Sequence, residues 1–95
     1  MWCLYVLRCA DGTLYTGITN NLEKRLAAHN AGRGAKYTRS RRPCELVATC
    51  PMPNKSVSLK AEHRFKKLSR QQKLDAIQEG IQSLFPEHLD AHQNN

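Results

Sequence analysis

Two apolar, β-rich runs open this chain and restrict it more than any other feature. They are WCLYVLRC at residues 2–9 and TLYTGI at 13–18, with Ala10-Asp11-Gly12 between them. Neither has the 3.6-residue period of a helix, and both are rich in strand-forming aromatic and branched residues. So short a connection makes the two strands an antiparallel hairpin. Its register depends on the turn. A two-residue Asp11-Gly12 loop would set Tyr15 opposite Arg8. A three-residue loop with Gly12 left-handed would set Tyr15 opposite Leu7 and Tyr5 opposite Gly17. Only the second puts Tyr5 and Tyr15 on one face, because a one-residue slip reverses every side chain.

The rest of the chain supplies what covers the hairpin. After ITN, Asn20 is the expected N-cap of a first helix, with Glu23 at N3 in a capping-box-like pair. Leu22 and Leu26 form its apolar stripe, and Gly32 is its expected C′ residue. A basic loop follows, broken by Gly34 and stopped by Pro43. CELVATC at 44–50 reads as a third strand. A second helix, Ser56 to Leu68, carries Val57, Ala61, Phe65 and Leu68 on one face. Ser69 with Gln72 makes a capping box for a third helix, 70–79, built on Leu74 and Ile77 with Ile81 as a further candidate. The order β-β-α-β-α-α predicts an α+β domain: a small three-stranded sheet flanked by helices. The expected domain is 1–80, with 81–95 a partly disordered tail.

Ninety-five residues allow one domain and no large enclosed cavity, so a shallow surface site is expected. Fifteen Lys and Arg against eight Asp and Glu give a net charge of +7, which favours a polyanionic partner, nucleic acid first. The charge concentrates in RGAKYTRSRR at 33–42, which has no acid. A run of this kind is also a common solvated loop. WCLYVL is too short for a membrane span and lacks the flanks of a secretion signal. A cytoplasmic protein without a membrane partner is the expectation. Within Cys3/Cys9 and within Cys44/Cys50, six residues of strand separate the thiols by about 20 Å. Neither local pair can share a zinc or a disulfide. Buried thiols in a reducing compartment are expected, with pairing between strands left open.

CLY at 3–5, YTG at 15–17, Arg25 eight residues after Gly17, His29 four later and Glu62 on the second helix form an ordered set. Together with GAKYT…RRP and AEHRFKKL, it resembles the GIY-YIG nuclease domain, in particular its small stand-alone bacterial members. The resemblance covers roughly residues 1–80. It implies an enzyme that hydrolyses nucleic-acid phosphodiesters, of the kind used in DNA repair or recombination. It also implies one divalent metal, Mg²⁺ or Mn²⁺, and no small-molecule cofactor. Carried onto this chain, the site would be Tyr5, Tyr15, Gly17, Arg25, His29 and Glu62.

Each residue has a physical part to play. Glu62 is the candidate metal carboxylate, and one suffices for Mg²⁺, which keeps most of its waters. It could equally pair with Lys66, i to i+4, for about 0.3–0.5 kcal/mol. Arg25 and His29 lie one helical turn apart, offset from the leucine stripe, so both can point outward beside the sheet. Arg25 suits a bidentate hold on phosphate. His29 could take a proton from water, donate to phosphate, or serve the helix C-terminus as a cation. A phenol is a poor base at neutral pH unless nearby cations depress its pKa. By resemblance Tyr5 is the general base and Tyr15 a positioner. Gly17, opposite Tyr5, would leave room for substrate.

Arg33, Lys36, Arg39, Arg41 and Arg42, extended by Arg64 and Lys67, would contact backbone phosphates, DNA first. Tyr37 would stack on a base or anchor the loop. His88 and His92, i to i+4, lack a third partner for a metal site. The chain departs from the family at Cys3, where the first Gly stands, at Thr16, where an Ile stands, and in having no match to a late Asn. These departures motivate an alternative, a nucleic-acid-binding module of the same fold without turnover. A basic structural protein is a third reading, which leaves the Tyr-Arg-Glu set unexplained. A protein partner for targeting is compatible with so small a domain.

Overall fold

The computed structural model describes residues 1–86. Strands β1 (Trp2–Arg8), β2 (Leu14–Thr19) and β3 (Glu45–Met52) form one antiparallel sheet in the order β2-β1-β3. Helix α1 (Leu22–Asn30) follows the hairpin. A single turn, α2 (Lys36–Arg39), lies inside the basic loop. Helices α3 (Lys55–Lys66) and α4 (Arg70–Glu79) and a 3₁₀ turn at Ile81–Leu84 close the chain. The α+β class and the strand and helix order are those expected from the sequence, with α2 and the 3₁₀ turn added.

The hairpin adopts the three-residue register. Gly12 sits at φ +85°, Gly12 N–H donates to the Cys9 carbonyl at 2.9 Å, and Tyr5 pairs with Gly17 while Leu7 pairs with Tyr15. Alternation along β1 then separates two apolar clusters. Leu4 and Val6 face α3 and α4, packing with Cys50, Met52, Ala61, Phe65 and Ala76. Tyr5 and Leu7 face the α1 side, with Leu22, Leu26, Leu46 and the Cys9 and Cys44 thiols. The central strand is thus covered on both sides, and only its Arg8 end is exposed.

Several boundaries differ from the sequence expectation. The N-cap of α1 is Asn21, not Asn20: its side chain accepts from Lys24 N–H at 3.1 Å. Thr19 causes the offset, since its hydroxyl accepts Asn21 N–H at 3.1 Å and holds the chain extended one residue longer. At the other end the structure matches the expected Gly32 stop. Gly32 sits at φ +81°, and Arg33 N–H closes onto the Ala28 carbonyl at 2.8 Å. The Ser69–Gln72 capping box is formed on both arms.

Packing continues beyond residue 80. Gly80, at φ +99°, ends α4 and turns the chain back. Ile81 and Phe85, each 1% exposed, then join the core beside β3. The expected start of the tail at 81 is therefore too early by about a turn of chain. His88 and His92 lie outside the described residues. No helix among the described residues is long and apolar enough to cross a membrane.

Candidate active site

The site is built around Tyr5. Its ring leaves the central strand across Gly17, where a Cβ would lie 2.5 Å from the Tyr5 hydroxyl and 2.6 Å from Cζ. Gly17 therefore makes room for the phenol itself, not for substrate as the register alone suggested. The ring reaches across β2 to α1, where its hydroxyl lies 2.9 Å from His29 Nε2 and accepts from Arg25 Nε at 3.4 Å. Arg25 and His29 sit one turn apart on α1, so a single hydroxyl can meet both.

His29 does not point outward. It is completely buried, because the loop after α1 folds back over it. Gly34 lies against the imidazole so closely that any Cβ would collide with Nδ1. Thr38, also completely buried on α2, places its hydroxyl 2.8 Å from Nδ1. The helix-face reading failed because it used α1 alone, and the covering residues come from the loop. Gly34 and Thr38 were missed for the same reason. The GAKYT string contains both, but nothing in it names the partner.

Burial sets the proton chemistry. It pushes the Tyr5 phenol up from its ordinary value, more than the hydrogen bond from Arg25 pulls it down, and the charge of Tyr15 pushes it up further. Arg25 alone thus does not depress Tyr5, because desolvation outweighs it. Burial, then the Arg25 charge, pushes His29 below its ordinary 6.5, so it is neutral at neutral pH. The hydrogen bond to Tyr5 raises Arg25 further, keeping it a cation.

Tyr15 lies on the same face, its ring 6.4 Å from that of Tyr5 and 5.2 Å from His29. Tyr37 stacks on Tyr15 at 5.9 Å and carries the Arg41 guanidinium 4.0 Å from its ring centre. Tyr37 is thus the loop's anchor, and its ring is already engaged. Glu62, on the stretch of α3 that packs on β2 and β1, is close enough for its charge to raise the Tyr5 pKa. It also pairs with Lys66 at 3.5 Å, with its side chain only 20% exposed. Tyr5, Tyr15, Arg25 and His29 therefore meet in one place, and Glu62 acts on Tyr5 through its charge.

The basic residues divide. Arg41 donates to Asp11 at 3.1 Å and to the Tyr37 carbonyl at 2.8 Å; Arg42 donates to the Arg39 carbonyl at 2.9 Å. Both fasten the loop. Arg64 donates to the Leu84 carbonyl at 3.1 Å and holds the C-terminal turn. Arg33, Lys36, Arg39 and Lys67 are exposed. Asn30, unremarked in the sequence, clamps both the N–H and the carbonyl of Cys44, at 2.7 and 3.0 Å, which pins the two ends of the loop together. The thiols of Cys9 and Cys44 stand 3.7 Å apart, and all four cysteines are free and buried.

A sheet of this order, with two strand tyrosines, a helical Arg and His and a carboxylate on a later helix, defines a class. The family model for the GIY-YIG catalytic domain matches residues 1–75, and the chain belongs to that family. Within it, the relatives it matches are UPF0213 proteins. One from Lactococcus lactis subsp. cremoris (strain SK11) is 53% identical over 91 residues, covering 94% of this chain and 93% of the relative. One from Natronomonas pharaonis is 57% identical over 70 residues, covering 74% and 82%. The solution NMR structure of a UPF0213 protein from Bacillus halodurans is 42% identical with a TM-score of 0.54, covering 82% of this chain and 84% of that one.

Proposed function

We propose that the protein is a metal-dependent endonuclease that hydrolyses phosphodiester bonds in DNA, held by backbone contacts with little sequence preference. The observation that carries this reading is the Arg25–Tyr5–His29 hydrogen-bonded chain, with the charge of Glu62 acting on Tyr5. Glu62 would hold one divalent cation, Mg²⁺ or Mn²⁺. No group of three His, Cys, Asp or Glu side chains exists among the described residues. The donor set thus fits a hydrated hard cation that completes its shell with water and phosphate oxygens, and does not fit zinc. When bound, such an ion neutralises charge developing on the phosphate and on the leaving oxygen.

The protein's own groups perform the rest. The raised pKa of Tyr5 makes a free phenolate an unfavourable species, and the geometry avoids the need for one. Tyr5 can accept a proton from the attacking water while passing its own to the neutral Nε2 of His29. Arg25 uses Nε to hold Tyr5 and also bonds to Tyr15, and its fork would turn remaining N–H donors toward the non-bridging phosphate oxygens. Tyr15, packed against His29, positions the phosphate or the water. Arg33, Lys36, Arg39 and Lys67 supply salt-sensitive affinity for neighbouring phosphates, and Arg41 and Arg42 add to the field while bracing the loop.

The test is strand scission of single-stranded and duplex DNA with Mg²⁺ or Mn²⁺. Wild-type protein is expected to cleave, and Glu62→Ala and Arg25→Ala to lose cleavage. Equal cleavage by wild type and Glu62→Ala would overturn the proposal. Salt-sensitive binding without scission would leave a binding module instead.

A further inference from the structure

We infer that Thr38 is a positioning residue of this site: its hydroxyl holds His29 in the Nδ1–H tautomer and so keeps Nε2 open to the Tyr5 proton. The inference deepens the proposed mechanism and rests on it for its functional consequence. The tautomer itself follows from an accounting of hydrogens that is independent of any reaction.

Five groups form one chain, buried in the middle and part-buried at both ends: Arg25 Nε, Tyr5 Oη, the His29 ring with its two nitrogens, Thr38 Oγ1 and the Ala35 carbonyl. The two ends fix its direction. A guanidinium can only donate and a carbonyl can only accept. Thr38 Oγ1 lies 2.9 Å from the Ala35 oxygen and donates its single proton there. Towards His29 it can then only accept, which requires a proton on Nδ1. A neutral imidazole with Nδ1–H has a bare Nε2, and Tyr5 donates to it. Tyr5 in turn accepts from Arg25. Every proton in the chain is used once, and no buried side-chain nitrogen or oxygen among the described residues lacks a partner.

The reverse direction fails on one group. If Thr38 donated to Nδ1, Nε2 would carry the proton and donate to Tyr5. In the free protein the Tyr5 hydroxyl would then accept from both Arg25 and His29, and its own proton would have no side-chain or backbone acceptor among the described residues. A buried donor left without a partner is costly, which selects the first arrangement. Gly34 adds the steric half of the lock. It packs on the Nδ1 side of the ring, so the imidazole cannot exchange its two nitrogens without displacing the loop.

Thr38→Val tests this with little change of shape. The turn keeps its backbone bond, since Thr38 N–H itself donates to the Ala35 carbonyl at 3.1 Å. What is lost is the acceptor for Nδ1–H, so His29 is expected to shift toward Nε2–H. The measurement is the ¹⁵N chemical shifts of the His29 ring in the full, labelled chain at neutral pH. Wild type and Thr38→Ser should show Nδ1–H, and Thr38→Val should lose it. In the cleavage assay Thr38→Val should lower kcat about 10–100-fold with KM little changed, and Thr38→Ser should recover most of it. An Nε2–H signature in the wild type overturns the inference whatever the activity. Unchanged kcat in a folded Thr38→Val overturns its functional half. An Nδ1–H wild type that cleaves no nucleic acid upholds the tautomer lock and sinks the endonuclease reading instead.

Discussion

Gly17→Ala separates two meanings of an empty position. The added carbon would lie 2.5 Å from Tyr5 Oη and 2.6 Å from Cζ, whereas non-bonded carbons settle at about 3.5–4.0 Å. The ring must therefore retreat by roughly 1 Å. A retreat of that size breaks a hydrogen bond that now spans 2.9 Å to His29. Overpacking of a core costs about 1–3 kcal/mol, and the lost bond adds about 1 kcal/mol. For a domain of this length each kcal/mol moves Tm by about 4–8 °C, so a fall of roughly 8–32 °C is expected. Cleavage should drop by about 10²-fold through kcat, as for other misplacements near 1 Å. The assay pairs thermal unfolding with cleavage kinetics in wild type, Gly17→Ala, Tyr5→Phe and the double variant. In the Tyr5→Phe background the glycine substitution should cost about 1 kcal/mol less, because the hydroxyl and its bond are already gone. A Gly17→Ala protein with wild-type Tm and only a raised KM would refute the reasoning. That pattern belongs to a glycine that merely clears space for substrate.

Further outcomes are expected. His29 protonates near 6.5 when unfolded but only at lower pH when folded, because burial and Arg25 depress it. The unfolded state thus binds more protons just below 6.5, so this residue's contribution to stability falls as pH drops through that value and levels off once folded His29 is protonated. Denaturant midpoints on either side of that pH should show the slope in wild type and a shallower one in His29→Asn. Arg41→Ala should cost about 1–2 kcal/mol through the lost Tyr37 contacts. Arg39→Ala should leave stability within about 0.5 kcal/mol while lowering the salt slope of DNA binding by about one; urea unfolding and salt titrations distinguish the two. Phe85→Ala should cost about 3–5 kcal/mol, and a chain ended after Gly80 should unfold well below the full protein in a thermal melt.

The hairpin was legible because two local constraints agreed. Only the three-residue turn with left-handed Gly12 put both tyrosines on one face, and that is the register formed. The helices were legible to within a turn, with adjacent Asn20 and Asn21 too alike for position alone to separate. Arg25 beside Tyr5 could be anticipated from the motif. The burial of His29 could not, since the residues that bury it belong to a loop whose fold depends on contacts across the chain. Arg41 and Arg42 had the composition of phosphate contacts, but Asp11, Tyr37 and the Arg39 carbonyl claim them. Ile81 was already a candidate, but Phe85 was hidden by polar neighbours that made the segment read as a tail.

The loop from Arg33 to Arg41 has two sides, and they can be altered separately. Gly34, Thr38 and Arg41 face the protein and hold the imidazole and the tyrosine stack. Arg33, Lys36 and Arg39 face water, interleaved with them along the same short stretch. Recoding the outer three, by reversing their charge or by installing aromatic or hydrogen-bonding side chains, would change which polymer is held and how tightly. The hydrogen-bonded chain beneath would keep its geometry. Under the proposed function, the segment is thus a handle for redirecting the domain, provided Gly34, Thr38 and Arg41 are left alone.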